Sequence, residues 1–133
     1  MSVGVLLVSH GRFSQILLDT VQDVLGGGFP LRTAILEIRR VRDTAPLVRQ
    51  GEKLIDRLND GDGVLVLTDA FGSTPSNIAN RVAARAPSRV VAGLNLPMLI
   101  KVFNYSHLPL PELARAAVEG GRRGVMECEG SDA

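Results

Sequence analysis

Cysteine and tryptophan are nearly absent from this chain of 133 residues, which has one Cys and no Trp. Because Cys128 has no second cysteine in the chain, an intramolecular disulfide is excluded, and we expect a reducing, cytoplasmic environment. An excess of one charge sign is also lacking, since Lys+Arg 15 against Asp+Glu 14 give a formal net charge of +1. That balance provides no basic field, so we expect no nucleic-acid partner.

Long apolar runs are missing as well. The run at residues 3–8 is too short to cross a bilayer, and no cationic region of a secretory signal precedes it. Hydrophobic residues still make up 45% of the chain and charged residues only 22%, which excludes a disordered protein. The length predicts a single domain, residues 1–133.

Short apolar runs typical of buried strands alternate with apolar residues at helical spacing. Strands are predicted at residues 3–8, 33–38, 64–68 and 89–94, with a short edge strand at residues 125–128. The alternation predicts an α/β fold with an open, mostly parallel twisted sheet and helices on both faces. Right-handed crossovers place the carboxyl ends of such strands at one edge, so the loops beginning at Ser9, Asp69 and Asn95 should converge on one site.

Two residues in these loops are candidates for chemistry. His10 follows the first strand and precedes Gly11, where an imidazole can act as a nucleophile or a ligand. Asp69 follows the neighbouring strand and can accept the proton of one ring nitrogen, which leaves the other lone pair free for attack. The alternatives are a histidine that satisfies a backbone carbonyl and an aspartate that closes a turn.

The loop after Asp69 has the composition of an anion site. Thr74 is predicted to cap a helix with Pro75 in its first turn, so that the amides of Ser76 and Asn77 point into the crevice. The hydroxyls of Ser73 and Thr74 would add to a site suited to phosphate. An ordinary capped helix has the same pattern.

Other polar residues are interpreted as surface groups. His107 lies in a proline-containing loop, and we expect Arg12, Arg39, Arg40 and Arg42 to be solvated charges, although Arg12 is near enough to His10 to meet a phosphate.

Three segments together resemble one family. They read Val-Leu-Leu-Val-Ser-His-Gly at residues 5–11, Leu-Thr-Asp-Ala-Phe-Gly-Ser-Thr-Pro-Ser-Asn at residues 67–77, and Ala-Gly-Leu-Asn-Leu-Pro-Met-Leu at residues 92–99. In this order and at these separations they resemble the IIA component of the mannose-type sugar phosphotransferase system. The resemblance covers nearly the whole chain.

The resemblance implies that His10 is phosphorylated by the phosphocarrier protein HPr and passes the phosphoryl group to a IIB component. Asp69 would hold the His10 ring, and Gly72, Ser73 and Thr74 would surround the phosphate. No metal or cofactor is needed for such a transfer.

The resemblance also implies that Phe71, Asn95, Pro97 and Met98 form walls of the site. It implies a homodimer that exchanges the C-terminal edge strand, contact with membranes only through a permease complex, and a role in sugar uptake or as a signal read by a regulatory partner.

The chain departs from the family pattern in two ways. Many sugar-transporting members have tryptophan and two glycines where this chain has Phe71, Gly72 and Ser73. Many also continue into a IIB domain, whereas this chain stops at Ala133, so a separate IIB protein is expected.

Two other classes fit part of the pattern. Small tetrapyrrole metal chelatases also place a histidine after the first strand, but His107 would have to supply a second metal-binding group. A non-catalytic module that binds an anion would use His10 only as a hydrogen-bond donor.

Overall fold

A computed structural model describes residues 2–130 of the chain. In that part, strands and helices alternate along most of the chain. The strands are β1 (Gly4–His10), β2 (Thr33–Ile38), β3 (Val64–Thr68) and β4 (Ser88–Ala92). The helices are α1 (Phe13–Leu25), α2 (Ala45–Leu58), α3 (Thr74–Ala83), α4 (Leu96–Asn104) and α5 (Leu110–Arg123). The bounds of β2 and β3 agree with those predicted from sequence.

The four strands form one open sheet in the order β2-β1-β3-β4, with every neighbouring pair parallel. The predicted α/β architecture is therefore confirmed. β1 lies between β2 and β3, with His10 opposite Ile38 on one side and Val8 opposite Thr68 on the other. This register places the residues after β1, β2 and β3 at the same edge of the sheet.

Two apolar cores cover the two faces of the sheet. Successive side chains of a strand point to opposite faces, so Val5 and Leu7 pack with α1, α4 and α5, whereas Leu6 and Val8 pack with α2 and α3. Helices on both faces explain why β1 is a continuous apolar run rather than an alternating one.

The predicted strand at residues 125–128 is wrong for the chain by itself. Residues 125–130 have no strand structure, and the side chains of Val125 and Met126 are 77% and 70% exposed. A strand needs a neighbouring strand that exchanges backbone hydrogen bonds with it. The apolar composition of this segment does not show whether such a neighbour is present. α5 ends at Arg123, and the amide of Val125 donates back to the carbonyl of Arg122.

No helix within residues 2–130 is long and apolar enough to cross a membrane. The predicted domain, residues 1–133, reaches past the described residues at both ends, so its bounds stay a prediction.

Helices α2 and α3 approach closely at Gly51. A Cβ atom added there would lie 2.6 Å from Cγ2 of Val82 and 3.0 Å from Cδ2 of Leu36. Real Cβ atoms do not approach carbon that closely, so the absence of a side chain sets the spacing between these two helices and β2.

We predict that Gly51→Ala lowers the free energy of unfolding by about 1 kcal/mol. Overpacking costs roughly 1–3 kcal/mol, which exceeds the gain of nearly 1 kcal/mol in helix propensity. Urea unfolding followed by circular dichroism measures the change. The matched control is Gly27→Ala, where an added Cβ meets nothing within 4 Å. Equal stability of the two variants would contradict close packing at Gly51.

Candidate functional site

His10 is the last residue of β1 and presents its ring at the sheet edge. The amide of Gly11 donates to the carbonyl of Ile38 at 3.0 Å, and Gly11 adopts a φ of +47°, which turns the chain towards α1. The side chain of His10 is 62% exposed. The structure therefore places this histidine at the end of a strand rather than in the following loop, with its ring open to solvent.

The start of α1 is fixed directly behind His10. The hydroxyl of Ser9 accepts a hydrogen bond from the amide of Ser14 at 3.2 Å, and the two buried hydroxyls are hydrogen-bonded to each other. This pair holds the first turn of the helix against the end of β1. Sequence reasoning did not identify Ser9 as a support for the site.

One carboxylate holds both the backbone and the ring of His10. Oδ2 of Asp69 accepts the amide of His10 at 2.9 Å and lies 2.6 Å from Nδ1 of its ring. A carboxylate can only accept, so in the neutral ring the proton resides on Nδ1 and the lone pair on Nε2. His10 and Asp69, which the sequence predicts to interact, are thus in direct contact.

The other oxygen of Asp69 is bound by its own loop. Oδ1 accepts the amide of Ala70 at 2.8 Å and lies 3.5 Å from the hydroxyl of Ser73. Burial raises the pKa of Asp69, but hydrogen bonds from the amide and ring of His10 and from the amide of Ala70 outweigh it, so the pKa lies below its ordinary value. The carboxylate is therefore ionised at neutral pH.

The cap of α3 is one residue earlier than predicted. Ser73, not Thr74, is the N-cap: its hydroxyl accepts the amide of Ser76 at 3.3 Å, and its carbonyl accepts the amide of Asn77 at 3.0 Å. The amides of Ser76 and Asn77 are therefore occupied, contrary to expectation. Within residues 2–130, the amide of Thr74 donates to no protein atom. Gly72, with a φ of +82°, makes the turn before the cap.

A cleft of about 350 Å³ opens beside His10. Its lining combines the ends of β1 and β2, the segment that follows β2, and the start of α3: His10, Ile38, Arg39, Arg40, Val41 and Thr74. Sequence reasoning treated Arg39 and Arg40 as surface charge. The signal that could have found them is the position of β2, because its carboxyl end reaches the same edge as that of β1.

The third predicted loop has other contacts. Oδ1 of Asn95 accepts the amide of Met98 at 2.9 Å, and its Nδ2 donates to the carbonyl of Gly121 at 3.1 Å, so this side chain joins α4 to α5. Met98 is buried in the core. Among the described residues, neither of these side chains nor Pro97 lines the cleft beside His10. Their role as walls of the site stays a prediction.

His107 lies near the amino ends of the strands, whereas His10 lies at their carboxyl ends. His107 lines a separate cleft of about 440 Å³ with Ser2 and Asp62, which precede the amino ends of β1 and β3. The two histidines therefore cannot bind one metal ion, as the chelatase interpretation requires.

Comparisons with known proteins show which family the chain resembles in sequence. Residues 4–118 match the model of the family described as PTS system fructose IIA component. The PTS system mannose-specific EIIAB component of Escherichia coli strain K12 is 28% identical over 128 residues. The match covers 94% of this chain and 39% of that protein, so the chain spans less than half of the relative's length.

Solved structures of similar fold cover nearly the whole chain. The mannose/sorbose specific IIA subunit of the phosphotransferase system from Enterococcus faecalis has a TM-score of 0.80 at 30% identity, covering 100% of this chain and 99% of that one. The PTS IIA protein associated with the fucose utilization operon of Streptococcus pneumoniae has a TM-score of 0.77 at 25% identity, covering 96% of each chain.

The lowered pKa of Asp69 predicts a pH-dependent contribution to stability. The ionised carboxylate stabilises the folded chain above the ordinary aspartate pKa of about 3.9, and this stabilisation is lost as the pH falls through the lower pKa of the folded state. Asp69→Asn should therefore unfold at lower urea concentration than wild type at pH 7, and the difference should shrink below about pH 4.

The matched control is Asp62→Asn in the turn before β3, an exposed aspartate whose side chain makes no hydrogen bond or ion pair within the described residues. Its unfolding midpoint should follow that of wild type at both pH values. A difference between wild type and Asp69→Asn that does not change with pH would contradict ionic stabilisation by Asp69.

Proposed function

Because the chain belongs to the family of mannose-type IIA components of the sugar phosphotransferase system, as its match over residues 4–118 shows, we propose that His10 is a phosphohistidine carrier. It accepts a phosphoryl group from the phosphocarrier protein HPr and passes it to a IIB component. The observation that carries this proposal is the 2.6 Å contact of Nδ1 with Asp69 on a ring that is otherwise exposed.

The pair of His10 and Asp69 prepares Nε2 for attack. The lone pair of Nε2 forms a bond to the phosphorus of the donor, the phosphorus–nitrogen bond of the donor breaks, and its electron pair returns to the donor imidazole. The His10 ring becomes positively charged in this step while Nδ1 keeps its proton. An ionised carboxylate on Nδ1 stabilises that charge and holds the ring in one orientation.

The start of α3 offers donors for the oxygens of the phosphoryl group. Thr74 lines the cleft with His10, its amide has no partner within residues 2–130, and it lies in the first turn of a helix, where the dipole favours an anion. The hydroxyl of Ser73 instead donates to the carbonyl of Ala70 at 2.7 Å. We assign Thr74 to phosphate binding, and Ser73 with Gly72 to shaping the loop.

Exposed apolar side chains near His10 favour a protein as donor and acceptor. Phe71, in the loop after Asp69, is 91% exposed, and Phe13 and Val41 are also exposed. Apolar groups around a reactive residue are typical of surfaces that dock other proteins. Phosphorylation adds about −1.5 to −2 charges, so a regulatory partner can distinguish the two states.

The phosphorylation experiment combines the chain with phosphoenolpyruvate, the first enzyme of the system and HPr, and measures intact mass. We expect one acid-labile phosphoryl group on wild type and none on His10→Ala. The matched control is His107→Ala, which should be phosphorylated like wild type because it lies near the amino ends of the strands. Asp69→Asn should slow the transfer by about tenfold or more, the size of effect expected for one charge-assisted hydrogen bond.

An unmodified wild type, under conditions that phosphorylate a known IIA protein, would contradict the proposal. Adding a IIB protein to the phosphorylated chain then tests the second step, which should remove the phosphoryl group from His10.

We also infer a homodimer that uses the edge of β4. Within residues 2–130 no strand pairs with the outer edge of β4, and a cleft of about 420 Å³ runs between residues 90–93 and α5. The exposed apolar Val125 and Met126 supply a segment that can pair with such an edge in a second copy.

Sedimentation equilibrium tests this arrangement. The full chain should form a dimer, and a chain that ends at Gly124 should be monomeric because the exchanged segment is removed. Val24→Ser, which replaces an exposed apolar residue of α1, is the control and should leave the dimer intact. A full chain that stays monomeric at high concentration would contradict the inferred dimer.

A further inference from the structure

Positive charge is concentrated in the segment between β2 and α2. Arg39, Arg40 and Arg42 occupy three of four successive positions in a chain whose net charge is only +1. β2 is the neighbour of β1, with Ile38 opposite His10, so this segment leaves the sheet at the same edge as the histidine. Arg39 and Arg40 line the cleft that holds the ring.

The two arginines of the cleft differ in their ion pairs. The guanidinium of Arg39 lies 3.0 Å from Oε2 of Glu37, a neighbour on β2. Arg40 is exposed and has no carboxylate within 4.0 Å among residues 2–130. An uncompensated guanidinium at the wall of an open cleft suits an oxyanion, because its planar fork of donors can bind two oxygen atoms at once.

The carboxylate of Asp69 is not available as an acceptor for the guanidinium of Arg40. Both oxygens of that carboxylate already accept hydrogen bonds, from His10 and from the loop that follows Asp69. The negative charge of Asp69 is therefore directed to the Nδ1 side of the ring, whereas the cleft is lined by Arg40 and by Thr74, whose amide has no partner within residues 2–130. The cleft thus presents hydrogen-bond donors to an incoming anion.

We propose that Arg40 binds an oxygen of the phosphoryl group that Nε2 of His10 accepts. This inference rests on the proposed function. As the new phosphorus–nitrogen bond forms and that of the donor breaks, the negative charge stays on the phosphoryl oxygens, and the guanidinium of Arg40 donates hydrogen bonds to them. Arg40 is then a phosphoryl-binding residue on the segment after β2, in addition to the donors at the start of α3.

The test measures single-turnover phosphorylation of the full chain by two donors. One is phospho-HPr, and the other is phosphoramidate, an inorganic donor too small to use a protein docking surface. With phosphoramidate, whose nitrogen is protonated in neutral solution, the phosphorus–nitrogen bond breaks and its electron pair leaves with the nitrogen as neutral ammonia. The variants are Arg40→Gln, Arg40→Lys and the matched control Arg49→Gln, an exposed arginine of α2 outside the cleft.

We expect Arg40→Gln to slow phosphorylation by both donors about tenfold, the order expected for one charge-assisted hydrogen bond. Arg40→Lys should recover part of the rate, because it keeps the charge but loses the bidentate geometry. Arg49→Gln should match wild type with both donors, which shows that total charge is not the cause. All variants should unfold at the same temperature as wild type.

An unchanged phosphoramidate rate in Arg40→Gln overturns the proposal. If that variant is slow only with phospho-HPr, then Arg40 contacts an acidic patch of the donor protein rather than the phosphoryl group. If wild type accepts phosphate from neither donor, the proposed function of His10 itself fails, and the role of Arg40 fails with it. Normal phosphorylation of wild type with unaffected Arg40 variants refutes only the inference about Arg40.

Discussion

The contact between Nδ1 of His10 and Oδ2 of Asp69 is the constraint on which the rest of the site depends. The same oxygen also accepts the amide of His10, so one carboxylate fixes the backbone at the end of β1 and the plane of the ring. That arrangement requires β1 and β3 to be neighbours in register. A slip by one residue would turn the His10 side chain to the other face of the sheet and break the contact.

The register is in turn maintained by the two cores. Alternate residues of β1 are buried on opposite faces, Val5 and Leu7 on one and Leu6 and Val8 on the other. Because both faces are fully covered, a shifted strand would exchange these two sets between cores of different shape. The position of the exposed imidazole is therefore fixed by the apolar packing of the buried residues that precede it in β1.

Much of this could be predicted from the sequence, because parallel topology determines which strand ends meet. The bounds of β2 and β3, the pairing of His10 with Asp69 and the resemblance to mannose-type IIA proteins were all confirmed. The cap of α3 was misplaced by one residue, since serine and threonine both cap helices and proline is tolerated at either of the next two positions.

Two other errors arose from information that a local pattern does not contain. Residues 125–128 have the composition of a strand, but a strand forms only where its backbone is hydrogen-bonded to a neighbouring strand, and within the described residues this segment pairs with none. Arg39 and Arg40 have the composition of ordinary surface charge, and only the position of β2 beside β1 brings them to His10. In both cases the missing information is which strand lies next to which.

The placement of charge around the ring affects how a partner protein can distinguish the phosphorylated from the unphosphorylated state. Asp69 is 14% exposed and its charge is directed to Nδ1, whereas Arg40 is exposed to solvent. Without phosphate, the surface at the cleft is therefore more positive than the net charge of +1 indicates. A phosphoryl group on Nε2 would bring about −1.5 to −2 charges to that same place and reverse its sign. Because the ring is exposed and its anchor lies on the opposite nitrogen, this reversal requires no rearrangement of the fold, and a partner needs only a complementary charge to tell the two states apart.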